Sequence, residues 1–402
     1  MIPSPLRARL ERFVVLENER RRQAVTQAAR SGLEHAEPLE PGVAWMPYGP
    51  DAATACVEVA AEVGSPAVEY AAVRRGTAVM DGVHRGTIEV QGADRVAFLQ
   101  RMLTQDMKGL EPGGVRESFW LNRKGRVQAD LLLAEFGDRM LVDVDRFAAQ
   151  TTVQELQGFL FSEDVSLAEA TASWGRLAVH GAAAIGRLAA CGVDPSALST
   201  DLRCMRATVS GAETRLVRRD QCGVPGVELF VPSADLERVF DALLDAGEDT
   251  VVRPLGWHAF NVARIEAGTP LFLVDFGREA LPHETGLLAR RVNFRKGCYL
   301  GQEVVARMES LGKPKRRLVG LRMQDERLPV AGAEVHQATG EGDVVGAITS
   351  SAPAPMLGSA SVAFAMVRYA MGEPGTRLRV AAEGDWSEAE VQAGLRFLPG
   401  AA

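Results

Sequence analysis

Residues 87–102 read TIEVQGADRVAFLQRM. Ile88 and Val90 alternate with Thr87, Glu89 and Gln91, the two-residue period of a half-buried strand. Gly92-Ala93-Asp94 breaks that period as a turn, and Asp94 is placed to cap a following helix. Val96, Phe98, Leu99 and Met102 then give the helix an apolar stripe. A strand that turns directly into a helix sets the expectation for what surrounds it.

Working outward, Glu117–Leu121 and Val127–Glu135 read as strands around a hairpin turn, Asn122-Arg123-Lys124-Gly125. Met140–Val144 is a further strand, and a helix runs on to about Phe159. A similar order then recurs. Arg176–His180 is a strand, Ala182–Ala190 a helix, Arg203–Ser210, Thr214–Arg218 and Val227–Val231 are strands, and Ala234–Ala246 is a helix. Two such blocks predict an α+β pair of related subdomains. After Pro314 the texture changes to short strands between Gly- and Pro-rich turns: Arg316–Arg322, Glu334–His336, Asp343–Ser350, Ser359–Val367 and Arg377–Ala382. That pattern predicts a small all-β barrel or sandwich.

On the N-terminal side, residues 3 to about 30 read as one charged helix with Leu6, Leu10, Phe13, Val14 and Leu16 on its apolar stripe and Arg20, Arg21 and Arg22 on a solvated face. Ser31 to Val73 contains no Lys or Arg but seven acidic residues, and it includes a possible helix, Asp51–Val63. The basic helix and the acidic stretch could pair with each other or serve as an interaction arm. The resulting division is an N-terminal extension (1–70), a first α+β subdomain (71–170), a second α+β subdomain (171–250), a connecting segment (251–315) and a C-terminal β-barrel (316–402).

With 402 residues the chain is long enough for two to four domains. Its 47% hydrophobic and 24% charged content is ordinary for a globular protein. The net charge of -7 disfavours strong direct binding to nucleic acid or an anionic membrane. No run approaches the roughly 20 apolar residues needed to span a bilayer. The N-terminus lacks the apolar core of a secretory signal, so a cytoplasmic location is expected. The five cysteines, Cys56, Cys191, Cys204, Cys222 and Cys298, are widely spaced and suggest no disulfide framework. The scattered histidines form no recognisable metal motif.

The segment Asn293–Arg307, NFRKGCYLGQEVVAR, carries the clearest chemistry. Gly297 and Gly301 flank Cys298, where backbone freedom allows close approach to a ligand. Arg295 and Lys296 would favour a thiolate, as would a helix opening at Gly301-Gln302-Glu303. The other reading of Cys298 is a small buried hydrophobe. Asp130 leads into the apolar run Leu131-Leu132-Leu133, where a carboxylate is costly unless paired or ligand-facing. Glu228, within GVELFV, has the same character, and a carboxylate can accept two parallel hydrogen bonds from an amino-pyrimidine edge. Both could equally face solvent. Lys313, Lys315, Arg316 and Arg317 form a basic run that reads as a solvated linker or as a contact for polyanions. No dinucleotide fingerprint, P-loop or GxSxG is present.

Several motifs resemble the glycine cleavage T-protein superfamily. They are Asp81-Gly82-Val83-His84-Arg85-Gly86-Thr87-Ile88-Glu89-Val90, Leu103-Thr104-Gln105-Asp106, Leu121-Asn122-Arg123-Lys124-Gly125, Leu177-Ala178-Val179-His180-Gly181, and Arg264-Ile265-Glu266-Ala267-Gly268 before Pro270-Leu271. The run Lys296-Gly297-Cys298-Tyr299-Leu300-Gly301-Gln302-Glu303, followed by Arg307, resembles the signature of its YgfZ branch. The resemblance covers about residues 71–400. It implies a three-domain ring, two α/β subdomains plus a small C-terminal β-barrel, with tetrahydrofolate or a folate derivative in its central hole. For the branch it implies maturation or repair of iron–sulfur enzymes, including tRNA-modifying ones, through contacts with folate and with iron–sulfur client or assembly proteins. Carried over by position, Asp130, Glu228, Asn122 and Tyr299 would contact the folate. Cys298, activated by Lys296, would face the folate or a transferred group. T-proteins carry two adjacent aspartates where this chain has Ala129-Asp130, and one of that pair is essential for aminomethyl transfer. Their Ala-Arg-Asp reads Ala259-Phe260-Asn261 here. The rival expectations are a folate-dependent aminomethyl- or methyltransferase, and a scaffold that has lost folate.

Overall fold

The computed structural model describes residues 1–30, 39–53, 55–245, 252–338, 342–358 and 360–399. Helix α1 (Arg7–Arg30) and the turn before it bury Leu6, Leu10 and Val14 in a core shared with the second sheet. Three such side chains contribute roughly 1.5–3 kcal/mol each. Ahead of it, Ile2 lies alongside residue Val57, with Ile2 N–H donating to Cys56 O and Glu58 N–H to Ile2 O. The acidic stretch does pair with the basic helix, because the Glu40 carboxylate accepts from Arg21 and Arg253. The described residues of the expected extension are thus built into the fold.

Strands β1 (Val43–Asp51) and β2 (Ala55–Val63) form an antiparallel hairpin. The helix expected over Asp51–Val63 is therefore corrected to a strand. Val57, Val59 and Val63 are β-branched, all three are buried, and Val57 and Val59 pair across to Tyr48 and Met46. Helix α2 (Pro66–Arg75) starts with Pro66 at a position that needs no N–H.

Next come β3 (Thr77–Asp81), β4 (Arg85–Gln91), α3 (Arg95–Met102), β5 (Val115–Leu121), β6 (Val127–Glu135), β7 (Met140–Asp145), α4 (Arg146–Gln157) and β8 (Ser166–Glu169). Five of these strands make the first sheet, in the order β5-β6-β7-β4-β8. Asp145 accepts from Phe147 N–H and so caps α4. Asp94 does not cap α3 as expected; its carboxylate accepts from Asp164 N–H, tying the turn to the 162–165 loop. Gly92, at φ +102°, is required there, since a Cβ would lie 2.0 Å from Asp164 O.

The second block contains β9 (Trp174–His180), α5 (Ala184–Ala190), β10 (Cys204–Val209), β11 (Ala212–Arg218), β12 (Gly226–Pro232), α6 (Leu236–Asp245), β13 (Val252–Leu255) and α7 (Trp257–Glu266). Its six-stranded sheet has the order β10-β11-β12-β9-β3-β13. The sheets cut across the sequence blocks, for β3 belongs to the second sheet while β4, three residues later, belongs to the first.

Helices α8 (Leu288–Arg291) and α9 (Gln302–Leu311) lead to the C-terminal domain. Strands β14 (Arg316–Met323), β15 (Glu334–Gln337), β16 (Val344–Ala354), β17 (Ala360–Arg368), β18 (Arg377–Ala382) and β19 (Asp385–Val391) close a barrel in the order β14-β17-β16-β15-β18-β19. Asp275 fastens the barrel to α7, accepting from Arg264 Nη1 at 2.5 Å and from Thr349 Oγ1 at 3.0 Å. The fold is two α/β domains plus a closed β-barrel, as the sequence predicts. Among the described residues no helix is long and apolar enough to cross a membrane.

Candidate functional site

Strand register builds a small pocket on the second sheet. Met80 on β3 pairs with Ala178 on β9, and Ala178 pairs with Glu228 on β12, so the three lie in one row. His180, two residues along β9, shares that face and pairs with Gly226. A Cβ at Gly226 would lie 2.8 Å from His180 Nδ1 and 2.3 Å from Arg219 O, so glycine makes the room for the imidazole. The turn after β3 adds Gly82 and His84, the start of β4 adds Arg85, the loop before β12 adds Gln221, and α7 adds Phe260.

Charge around this pocket is organised by Asp143 on β7. Its carboxylate accepts from Arg85 at 2.9 and 2.6 Å, from Arg176 at 2.8 Å and from Arg219 at 3.0 Å. Burial opposes ionisation of Asp143, but Arg85 and Arg176 outweigh it and hold the carboxyl below the ordinary carboxylate range. Arg176 also donates to Glu228 at 3.2 Å, with its guanidinium 3.7 Å from the Phe230 ring centre. Gln221 bridges the remaining groups, its amide nitrogen donating to Glu228 Oε1 at 3.0 Å and its oxygen accepting from Arg219 at 3.3 Å. Burial pushes the Glu228 carboxyl up. It also lowers His84 to about 3 and His180 to about 4, so both imidazoles are neutral at pH 7.

Buried polar atoms without a partner gather here. Among the residues that line the pocket they are His84 Nδ1 and both ring nitrogens of His180. A buried polar group left unmatched is costly, so these atoms call for a partner with donors and acceptors of its own. The edge of a pterin has donors and acceptors that match this lining, and the cavity of about 20 Å³ must widen to admit the ring. Glu228 can take its amino-pyrimidine edge, and Phe260 and Leu271 offer apolar surface.

Asp130 lies elsewhere. It is held by Arg291, with Nε donating to Oδ1 at 2.6 Å and Nη2 to Oδ2 at 3.2 Å. Arg291 Nη1 lies 2.5 Å from Glu117, which also takes Arg290 at 2.8 Å and lies 3.8 Å from Arg219. A chain of alternating charges therefore runs from Asp130 through Arg291, Glu117, Arg219, Asp143 and Arg176 to Glu228. Asp130 does not line the pocket that Glu228 lines, and Ala129 beside it is buried in the core. Arg85, Asp143, Arg176 and Arg291 were not singled out from sequence. The signal for Asp143 was present, a carboxylate inside the apolar strand MLVDVD, all of which is buried.

The Lys296–Glu303 run departs from expectation in three places, Lys296, Gly297 and Tyr299. Lys296 does not activate the thiol through a hydrogen bond; its ammonium donates to Gln100 O at 2.7 Å, Leu103 O at 2.5 Å and Gln105 O at 2.9 Å. Burial lowers it to about 8. Tyr299 is packed in the first-domain core with the ammonium 5.3 Å from its ring centre, rather than in the pocket. Asn122 serves the hairpin turn, accepting from Lys124 N–H at 2.9 Å and Arg126 N–H at 3.1 Å. Gly297 has open space where a side chain would go. Gly301 is needed, at φ +80° and with a Cβ that would lie 2.6 Å from Asn122 O. Gln302 opens α9, and Glu303 and Arg307 are exposed on it. Cys298 is left exposed between Lys296 and Tyr299, both fixed to the first domain.

Two family descriptions match the chain. The GCVT N-terminal domain matches residues 59–296, and the glycine cleavage T-protein C-terminal barrel domain matches residues 316–397. The chain is similar to proteins named aminomethyltransferase. One from Saccharopolyspora erythraea is 32% identical over 336 residues, 81% of this chain and 88% of the relative. One from Bacillus subtilis is 29% identical over 321 residues, 79% of this chain and 87% of the relative. The crystal structure of glycine cleavage system aminomethyltransferase T from Bartonella henselae superposes with a TM-score of 0.78, at 24% identity, covering 89% of this chain and 94% of that one.

Proposed function

This chain belongs to the glycine cleavage T-protein family, and from that premise we propose that it binds tetrahydrofolate with the pterin in the pocket floored by Glu228. The observation that carries the reading is the partnerless imidazole nitrogens of His84 and His180, which line the pocket with that buried carboxylate. Bound there, the folate would supply a carrier for a one-carbon group. The chain's own part is to orient it. Glu228 accepts from the amino-pyrimidine edge, while Arg176 and Gln221 hold the carboxylate in place.

The names of the relatives support a folate-dependent aminomethyltransferase. A second reading, a folate-binding factor in iron–sulfur cluster assembly or repair, is favoured by two features. Asp130 is neutralised by Arg291 beside an alanine, which leaves no free carboxylate at 129–130. An exposed Cys298 is presented on a loop fixed on both sides. In that reading the thiol is the group that meets the client protein.

Calorimetric titration with tetrahydrofolate tests the shared premise. Binding to the wild type that is lost in Glu228→Ala and kept within about threefold in Asp130→Ala is the expected result. No binding by a folded wild type would end the folate reading. Formation of a one-carbon adduct of tetrahydrofolate from an aminomethyl donor, unaffected by Cys298→Ala, would select the transferase.

A further inference from the structure

Glu228 is not the whole of the polar floor. His180 stands on the same sheet face, diagonal to it, because His180 pairs with Gly226 and Ala178 pairs with Glu228. The imidazole is fully buried and lines the pocket. Its orientation is set by packing, with the ring tilted 30° against Phe260 at a centroid distance of 5.8 Å. The strand partner is a glycine, without which the ring would not fit. Neither ring nitrogen has a hydrogen-bond partner. A neutral imidazole carries one N–H donor and one lone pair, so the protein leaves both the donor and the acceptor of this side chain unused. Glu228 is different, since it is already engaged by Arg176 and Gln221. A carboxylate can accept two parallel bonds from an amidine-like edge, but it cannot also serve the rest of a fused ring.

Resting on the tetrahydrofolate reading above, we propose that His180 is a ligand-contacting residue that makes a second hydrogen bond to the pterin ring itself, so that the ring is fixed from two points on one sheet face. The ligand class it selects is a fused amino-pyrimidine head, independent of the tail. One neutral hydrogen bond of this kind is worth about tenfold in affinity.

The test uses the full chain, with calorimetric titration of tetrahydrofolate and of 6-methyltetrahydropterin, which carries the head alone. His180→Leu is expected to weaken both ligands by about tenfold. His180→Gln, which restores hydrogen-bonding capacity, should stay within about threefold of the wild type. Thermal melting checks that both variants fold. In the wild type, the ring-nitrogen NMR resonances of His180 should shift on saturation with 6-methyltetrahydropterin. Unchanged resonances, equal binding by His180→Leu, or weakening of tetrahydrofolate alone would overturn the proposal. If His180→Leu does not fold, the wild-type resonances decide. A wild type that binds neither ligand ends the parent reading, whereas binding without a shift ends only this one.

Discussion

Replacing Lys296 by Met separates two roles for the residue. The ammonium is shared among Gln100 O, Leu103 O and Gln105 O at 2.5–2.9 Å. Met keeps much of the volume but donates nothing. The bond to Leu103 O is buried, and a buried carbonyl left without a partner costs roughly 1–3 kcal/mol. The other two are partly exposed and can turn to water, at about 0.5 kcal/mol each. The expected loss is therefore about 2–4 kcal/mol, read from urea unfolding followed by circular dichroism. The pH dependence provides a second check. Burial lowers the folded-state value of Lys296 to about 8, below its ordinary 10.5. Between those values the unfolded chain holds the extra proton, so this group makes stability rise as pH increases from 8 to 10.5. That rise should vanish in Lys296→Met. A variant with unchanged stability, but with the pH profile of Cys298 alkylation displaced upward, would refute the anchoring role and restore Lys296 as an activator of the thiol.

Three further outcomes are expected. His84 and His180 have folded-state values of about 3 and about 4, below the ordinary 6.5, so stability falls as pH drops from 6.5 toward 4. Each contributes up to roughly 3 kcal/mol. Asp81, raised to about 6 by burial, works in the opposite sense between 6 and its ordinary 3.8. Acid titration of the melting temperature in His180→Leu should therefore be shallower than in the wild type, and an identical slope would contradict the burial argument. Asp143→Asn leaves Arg85, Arg176 and Arg219 without their shared anion. It should cost about 3–5 kcal/mol in denaturant unfolding, and a loss under 1 kcal/mol would show that the arginines find other partners. Gly301→Ala puts a side chain at φ +80° and 2.6 Å from Asn122 O. A loss of at least about 2 kcal/mol is expected, and a neutral variant would mean that the hairpin yields.

Much of the fold was legible because its strands carry strong local patterns. Val127–Glu135, beside its hairpin turn, and Arg377–Ala382, between Gly- and Pro-rich turns, stand where they were expected. The β2 strand was misread because ACVEVAAEV mixes alanine and glutamate, good helix formers, with valines whose preference shows only once β1 is beside them. The site was less legible for a similar reason. Glu228 could be suspected from its apolar surroundings. The partner that neutralises Asp130 lies 161 residues away, and nothing in the sequence near either residue announces the pair. Lys296 beside Cys298 looked like an activator, yet neighbours in sequence need not point the same way. Its ammonium reaches back about 190 residues to the end of α3, where helix-end carbonyls lack partners of their own.

The passage of the chain from β3 to β4 bears on how the protein can be taken apart. Thr77–Asp81 forms an inner strand of one sheet, between β9 and β13, and Arg85–Gln91 forms an inner strand of the other, with Gly82, Val83 and His84 between them. A fragment that starts after residue 170 would lack the strand that covers the edge of β9. A fragment that ends there would carry β3 with no sheet to join. Limited digestion should accordingly yield two alternatives, the intact two-sheet body or complete degradation. Gene-splitting experiments that aim to assign folate binding to one half should find both halves insoluble when expressed separately and soluble when co-expressed.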